Sequence, residues 1–490
     1  MKSIFRNILI LLLMLTLLNL QPASAASVPA AVIDFTDLDQ VITAQMEKHG
    51  LPGVSLAVIE NNEIIYLKGY GSAGNGREMT TQTRMFIGSQ SKSVTALAIA
   101  QLAEQGKLDL DAPVQTYIPW FRVADEDASA KITLNHLLHH TSGLSDAGYG
   151  VLLPLDASLE DAVRSLEKAQ ITAPPGTQHQ YFNVGYAVLS YIIEITSGQS
   201  YAAYVQENIF KPLGMNSTSA DPAAYQDLCQ GYSRLFGFAI PMQQSVPLYA
   251  VGEGYIVSTA EDMARYAIAF MDGGQGLVSP KTIKRILTPG VGTYGLGWYI
   301  SDGGLKISHG GANETFRTEV NLYPTRSRAF VLLTNEGYQM DHFISAGQLT
   351  SSVEAVVLGR TPPAASDGVS VRWIGWGIGI LVLGLLVLHF FNFRALRTWS
   401  KRTRNMSFAR RALDVAISFI IPSVILFIIY TQVKAFYGNR FNLLTNLAYL
   451  SVGLPDIFIL MLVGTIPDYT QFVIKIILWI RGRKQDNIPA

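Results

Sequence analysis

The chain has 490 residues, 49% of them hydrophobic and 15% charged, which is too apolar for an ordinary soluble protein and too charged for a wholly membranous one. Its net charge of zero averages two unlike parts: residues 26–370 hold 21 basic and 33 acidic residues, and residues 371–490 hold 14 basic and 4 acidic ones. An acidic globular part repels a phosphate backbone, so no nucleic-acid partner is expected, and the lone Cys229 excludes an intrachain disulfide and reads as a small core residue.

Residues 1–25 read as a secretory signal. Lys2 and Arg6 form a basic start, residues 7–20 an apolar stretch, and Ala23-Ser24-Ala25 a cleavage site. Cleaved or retained as an anchor, this segment places residues 26–365 outside the cytoplasm. The pattern then predicts a helix over residues 37–49, ended by Gly50. Strands follow over 54–59 and 63–69, joined at Asn61-Asn62, a hairpin signal. Residues 93–103 are apolar nearly all round, which marks a buried helix, and Gly106 stops it. A long, mostly helical region runs to about residue 290, with a capping box at Ser258-Thr259-Ala260-Glu261 opening a helix over 261–271. Four strands are expected over 295–301, 305–308, 318–323 and 329–334, and a closing helix over 343–358. The fold class is therefore α+β: one antiparallel sheet, completed from both ends of the domain, flanked by helices and interrupted by a large helical insert. A G-x-S-x-G elbow is missing, which disfavours the α/β-hydrolase plan.

A linker over 361–368 leads into a membrane domain over 366–480. Spans are predicted at about 373–391, 412–433 (kinked at Pro422) and 455–480, the last either one span bent at Pro467 or two short segments. Arg394, Arg397, Lys401, Arg402, Arg404, Arg410 and Arg411 mark a cytoplasmic loop, and Arg481, Arg483 and Lys484 put the tail, 481–490, inside as well. Asp414 reads as an interfacial ion partner of Arg410 and Arg411. The plain reading of these spans is an anchor in the cell membrane; a sharper one is that they present the domain to amphiphilic substrates.

Chemistry begins at Ser89-Gln90-Ser91-Lys92. Residues three apart share a helix face, so the Lys92 amine can reach the Ser89 hydroxyl. A serine needs a base to take its proton, and a lysine serves only if burial disfavours its charged form. The helix amino end adds free N–H groups for an oxyanion. Spacing alone leaves a helix-cap serine equally good, and Ser165-Leu166-Glu167-Lys168 supplies a control of the same spacing in a charged, solvated stretch. Two further elements follow in order: Tyr181-Phe182-Asn183 after Pro174-Pro175-Gly176, and His309-Gly310-Gly311 at the end of a strand.

Ser89…Lys92, Tyr181…Asn183 and His309-Gly310-Gly311 together resemble the serine β-lactamase and penicillin-binding-protein superfamily, specifically its class C-like branch. The stretches at residues 140–144 (His-Thr-Ser-Gly-Leu), 212–215 (Pro-Leu-Gly-Met) and 294–298 (Tyr-Gly-Leu-Gly-Trp) extend the resemblance over residues 35–360. It implies that Ser89 is acylated and that Lys92 accepts its proton, with Tyr181 as a second acid/base group. Asn183 would hold the substrate's acyl-side amide, and the N–H groups of Ser89 and Ala312 would form the oxyanion hole. Lysine and tyrosine both stay open as the base.

The family's third motif often begins with a lysine that holds a substrate carboxylate. His309 stands there instead, mostly neutral at pH 7, which moves the expectation from β-lactams to other amides, including D-amino-acid peptides. Asn313 points a carboxamide into the acyl pocket or simply forms a turn. The overall plan is also similar to prodrug-activating peptidases, the colibactin-maturing peptidase among them, although Tyr181-Phe182-Asn183 departs from the Tyr-Ala-Ser associated with it. The leading expectation is a peptidase or amidase on small D-configured peptides, with no cofactor and no metal. A β-lactamase, a DD-carboxypeptidase and an esterase are the alternatives within the class, and a penicillin-binding sensor without turnover is the alternative outside it. His136, His139 and His140 read as helix packing; Trp298, Tyr299 and Tyr255 as core or cleft; Glu253 as site rim or solvated turn.

Overall fold

The computed structural model describes residues 33–340, 344–364, 368–437, 447 and 450–486; the predicted signal segment and the end of the tail lie outside them. The first helix, α1 (Phe35–His49), is capped by the Asp34 carboxylate and closed by Gly50 at φ +67°. Strands β1 (Gly53–Glu60) and β2 (Glu63–Gly74) follow, and both Asn61 and Asn62 take the positive φ that a tight hairpin turn requires. Two short strands, β3 (Arg77–Glu78) and β4 (Met85–Phe86), precede α2 (Ser91–Glu104), which is buried from Ser91 to Leu102 as its all-apolar pattern predicts.

The insert holds α3 (Val184–Ser197), the hairpin β5 (Gly231–Leu235) and β6 (Phe238–Met242), β7 (Val257–Ser258) and α4 (Ala260–Met271). The hairpin was not expected within a mostly helical region. The capping residue of α4 is Thr259, which accepts the Asp262 N–H, because Ser258 is held in β7 opposite Met85. Strands β8 (Tyr299–Ser301), β9 (Lys306–Ala312), β10 (Arg317–Tyr323) and β11 (Arg328–Thr334) and helix α5 (Ser345–Val357) complete the domain.

The main sheet runs β3-β2-β1-β11-β10-β9-β8, antiparallel throughout, with β1 beside β11 where the two ends of the domain meet. Val54, Leu56 and Val58 of β1 and Phe330 and Leu332 of β11 face α1 and α5. Ala57, Ile59, Val331 and Leu333 face the larger core that contains α2, α3 and α4. Alternation with both faces covered explains why these strands read as unbroken apolar runs.

Three helices long and apolar enough to cross a membrane follow: α6 (Val371–Leu396), α7 (Phe408–Tyr437, apolar over Phe408–Thr431) and α8 (Pro455–Asp486). Helix α8 is one helix that carries Pro467 inside it, rather than two segments. Asp414 bonds Lys475 of α8 at 3.1 Å and the Trp399 indole at 2.7 Å, not Arg410 or Arg411, which share its own helix.

Candidate active site

Ser89 lies in a one-turn 3-10 segment, Gly88–Gln90, that feeds straight into α2. Only glycine fits at position 88: φ is +54°, and a Cβ there would stand 2.3 Å from the Ala312 nitrogen. Ser91 ties this turn to the segment beyond it, donating to the Gly88 carbonyl at 2.8 Å and accepting the Ile256 N–H at 3.1 Å. Thus the chain around residues 251–258 is drawn against the serine.

Lys92, one helical turn on, is fully buried, with its amine 3.2 Å from the Ser89 hydroxyl and 2.5 Å from the Glu253 carbonyl oxygen. Burial lowers the amine to about 8, against the opposing pull of the Glu253 and Asp146 carboxylates. The same burial raises the Glu253 carboxyl to about 7, while Lys92 draws it down. Oε2 of Glu253 is buried and accepts no hydrogen bond among the described residues.

The amine also lies 5.0 Å from the centre of the Tyr181 ring and 5.7 Å from that of Tyr186. Tyr181 rests on the His140 ring, centroids 4.2 Å apart. His140, itself at φ +56°, receives the Phe182 N–H on Nδ1 at 3.2 Å, and its carbonyl takes the Gln180 N–H at 2.7 Å. Burial first, and the nearby Lys92 charge second, hold this imidazole well below its usual range. The neutral ring is therefore the bed on which the tyrosine loop lies. Asn183 takes the amino end of α3, with its Oδ1 buried and unbonded among the described residues.

His309, Gly310 and Gly311 lie within β9, which runs past the expected end at Ser308 to Ala312. The His309 Nδ1 is 2.7 Å from the Gly310 carbonyl, which can only accept, so the proton sits there and Nε2 accepts from the Tyr294 hydroxyl at 3.1 Å. Burial, helped by Lys92, lowers this histidine to about 3. It is neutral at any physiological pH. On one side β9 pairs with β10 from Ile307 to Ala312; on the other, β8 reaches only Ser308. Because the Asn313 N–H bonds the Phe316 carbonyl at 3.0 Å, the next pair, Ala312 with Arg317, turns its backbone groups outward. The Ala312 N–H thus faces the open edge, beside the Ser89 turn. Gly311 permits that approach, since a Cβ there would lie 1.9 Å from the Ile87 carbonyl oxygen. Asn313 donates to the Gly254 carbonyl at 3.0 Å.

The structure thus brings Ser89, Lys92, Tyr181 and the strand 309–312 together. It leaves the control motif apart: the Ser165 hydroxyl bonds the Ala162 carbonyl and Tyr149, and Lys168 is exposed. Trp298 is core, fully buried against Phe270. Glu253 and His140 are the neighbours that sequence reasoning undervalued. The glycines on both sides of Glu253 were the available signal, since Gly252 has room for no Cβ beside the Ser190 hydroxyl.

This fold is that of a β-lactamase/transpeptidase-like serine hydrolase. A family model described as Beta-lactamase matches residues 38–353, and the chain belongs to that family. The putative penicillin-binding protein PbpX of Bacillus subtilis is 32% identical over 289 residues, 57% of this chain and 69% of that protein. Protein flp of Staphylococcus aureus is 24% identical over 467 residues, 91% of each chain, and so reaches beyond the hydrolase domain into the apolar helices. The solved octameric penicillin-binding protein homologue from Pyrococcus abyssi superimposes with a TM-score of 0.59 at 28% identity, over 67% of this chain and 78% of that one.

Proposed function

We propose that the protein is a membrane-anchored hydrolase of the class C-like branch that works outside the cytoplasm, cleaving amides in D-amino-acid-containing or prodrug-type peptides through an acyl-enzyme. The observation that carries this reading is the fully buried Lys92 amine 3.2 Å from the Ser89 hydroxyl. Neutral Lys92 takes the hydroxyl proton as the Ser89 Oγ bonds to the acyl carbon, and the Ser89 and Ala312 N–H groups receive the negative charge on oxygen. The proton passes, with Tyr181 as partner, to the leaving nitrogen as the C–N bond breaks. Water then attacks the ester, gives its proton to the same pair, and Ser89 recovers its hydrogen. Asn183 holds the acyl-side amide and the edge of residues 309–312 takes the substrate backbone, with Asn313 at the pocket rim.

The neutral His309 supports the substrate class. A penicillin or a D-Ala-D-Ala end brings a carboxylate, and no cation stands at the start of this motif to receive it. The location rests on the basic residues at 394–411 and 481–484, which favour the cytoplasmic side and leave the hydrolase on the other. The test is a panel of D- and L-configured N-acyl amides, esters and a chromogenic β-lactam on the full-length protein. Preference for the D-amide, lost in Ser89→Ala, is the expected result. Persistent penicillin labelling of Ser89 with no amide turnover would replace the reading by a sensor.

A further inference from the structure

We propose that the membrane helices are a working part of the hydrolytic site: α8 and α6 buttress the turn of residues 313–316, which aims the Ala312 N–H, with Tyr338 and Asp456 as positioning residues. The inference rests on the oxyanion role given to Ala312 above.

One route starts at the head of α8. The Tyr338 hydroxyl donates to Asp456 Oδ1 at 2.7 Å, and both residues are about 1% exposed. The Ile457 N–H, at 2.9 Å from the same oxygen, fixes the carboxyl at the helix start. Tyr338 and its neighbour Gly337 form a strap: their carbonyls receive the Arg317 guanidinium at 3.0 and 3.1 Å. Gly337 lies so close on the turn that a Cβ would stand 2.3 Å from the Thr315 nitrogen and 2.5 Å from the Asn313 carbonyl oxygen.

A second route starts at α6. Gly375 packs on Gly237 at the tip of the β5–β6 hairpin, where a Cβ would lie 2.1 Å from the Gly237 nitrogen. The base of that hairpin reaches the same turn, since a Cβ on Gly231 would lie 2.6 Å from the Thr315 Cβ. Strap and hairpin are joined by a backbone bond from Gly337 to Tyr232 at 3.0 Å and by the buried Arg234–Glu336 pair. Both routes converge on residues 313–316. From there Asn313 bonds Gly254, next to the Glu253 carbonyl that holds Lys92.

A tail that served only as an anchor would need no buried polar contact 118 residues apart in sequence. Apolar surfaces hold two bodies together, whereas a satisfied buried hydrogen bond fixes their register. The strut therefore sets where the outward-facing N–H stands relative to Ser89, a placement on which the rate depends steeply.

The test is amide hydrolysis by the full-length protein in lipid nanodiscs. Variants are Tyr338→Phe, Asp456→Ala, Asp456→Asn, the double Tyr338→Phe/Asp456→Ala, and Gly375→Ala for the second route, with Ser89→Ala alongside. Expected are a roughly 10-fold fall in kcat for Tyr338→Phe and for Asp456→Ala with KM within about twofold. The double variant should lose no more than either single one, Asp456→Asn should recover most of the rate through its remaining acceptor, and Gly375→Ala should also lower kcat. Single variants with kcat within about twofold of wild type, losses that multiply in the double variant, or losses that only track unfolded protein in a thermal melt overturn the buttress. Should either strut variant fail to fold, the kcat of Gly375→Ala decides. Hydrolysis persisting in Ser89→Ala would instead strike the underlying reading.

Discussion

Two Ser-x-x-Lys segments share this chain, and only one buries its lysine against its serine. At Ser89 the lysine is buried to the last atom and its amine points at the serine. At Ser165 the lysine is in water and the hydroxyl is spent on Ala162 and Tyr149. Spacing brings the two groups within reach; only the withdrawal of water lowers the amine far enough to act as a base. On the proposed reading, the surroundings, not the motif, make the nucleophile.

The comparison breaks most sharply on Ser89→Ala, for which a loss of at least ~1000-fold in kcat/KM is expected; a D-amide assay that finds the activity intact would end it. Next is Lys92→Met. A lysine held near 8 in the fold, against 10.5 when free, costs stability wherever the folded protein must carry the charge, below about pH 8, and that cost fades as pH rises towards 10.5. The variant should lose hydrolysis yet melt ~5 °C higher at pH 7 by calorimetry, whereas Lys168→Met should leave the melt unchanged.

Gly311→Ala comes third. Its Cβ meets the Ile87 carbonyl, so strand and serine turn must part, with a cost of roughly 2 kcal/mol in denaturant unfolding and a fall in kcat. Glu253→Gln has a smaller, directional effect. The carboxylate favours the protonated amine, so its loss lowers Lys92 further and moves the acid limb of the pH–rate profile to lower pH. A limb that stays put would deny Glu253 that influence. Smallest is Ser165→Ala, with activity within about twofold of wild type and a stability change of about 1 kcal/mol from the lost Tyr149 contact.

Much of the fold was legible because its signals are local. The Asn61-Asn62 turn, the apolar run of α2 and the strands of β10 and β11 are each written in a few consecutive residues. The approach of Lys92 to Ser89 was legible because residues three apart in a helical turn carry their own geometry. What escaped depends on partners distant in the chain. The role of His140 becomes visible only once Tyr181 is laid on it, and that of Glu253 only once its carbonyl meets Lys92 from 161 residues away. Likewise Asp414 turned to Lys475 on another helix, and the β5–β6 hairpin formed within a region read as mostly helical.

On the proposed docking mode, the stretch of β9 that β8 does not pair with also sets a size limit. From His309 to Ala312 it offers four residues, about 13 Å of rail at the usual rise per residue. A ligand that docks by lengthening the sheet gains main-chain bonds over that distance and none beyond it. Short oligomers can use the whole rail, while a folded polypeptide cannot thin itself to one extended thread to reach it. On that reading, the same brevity leaves little unpaired edge for a neighbouring copy to extend.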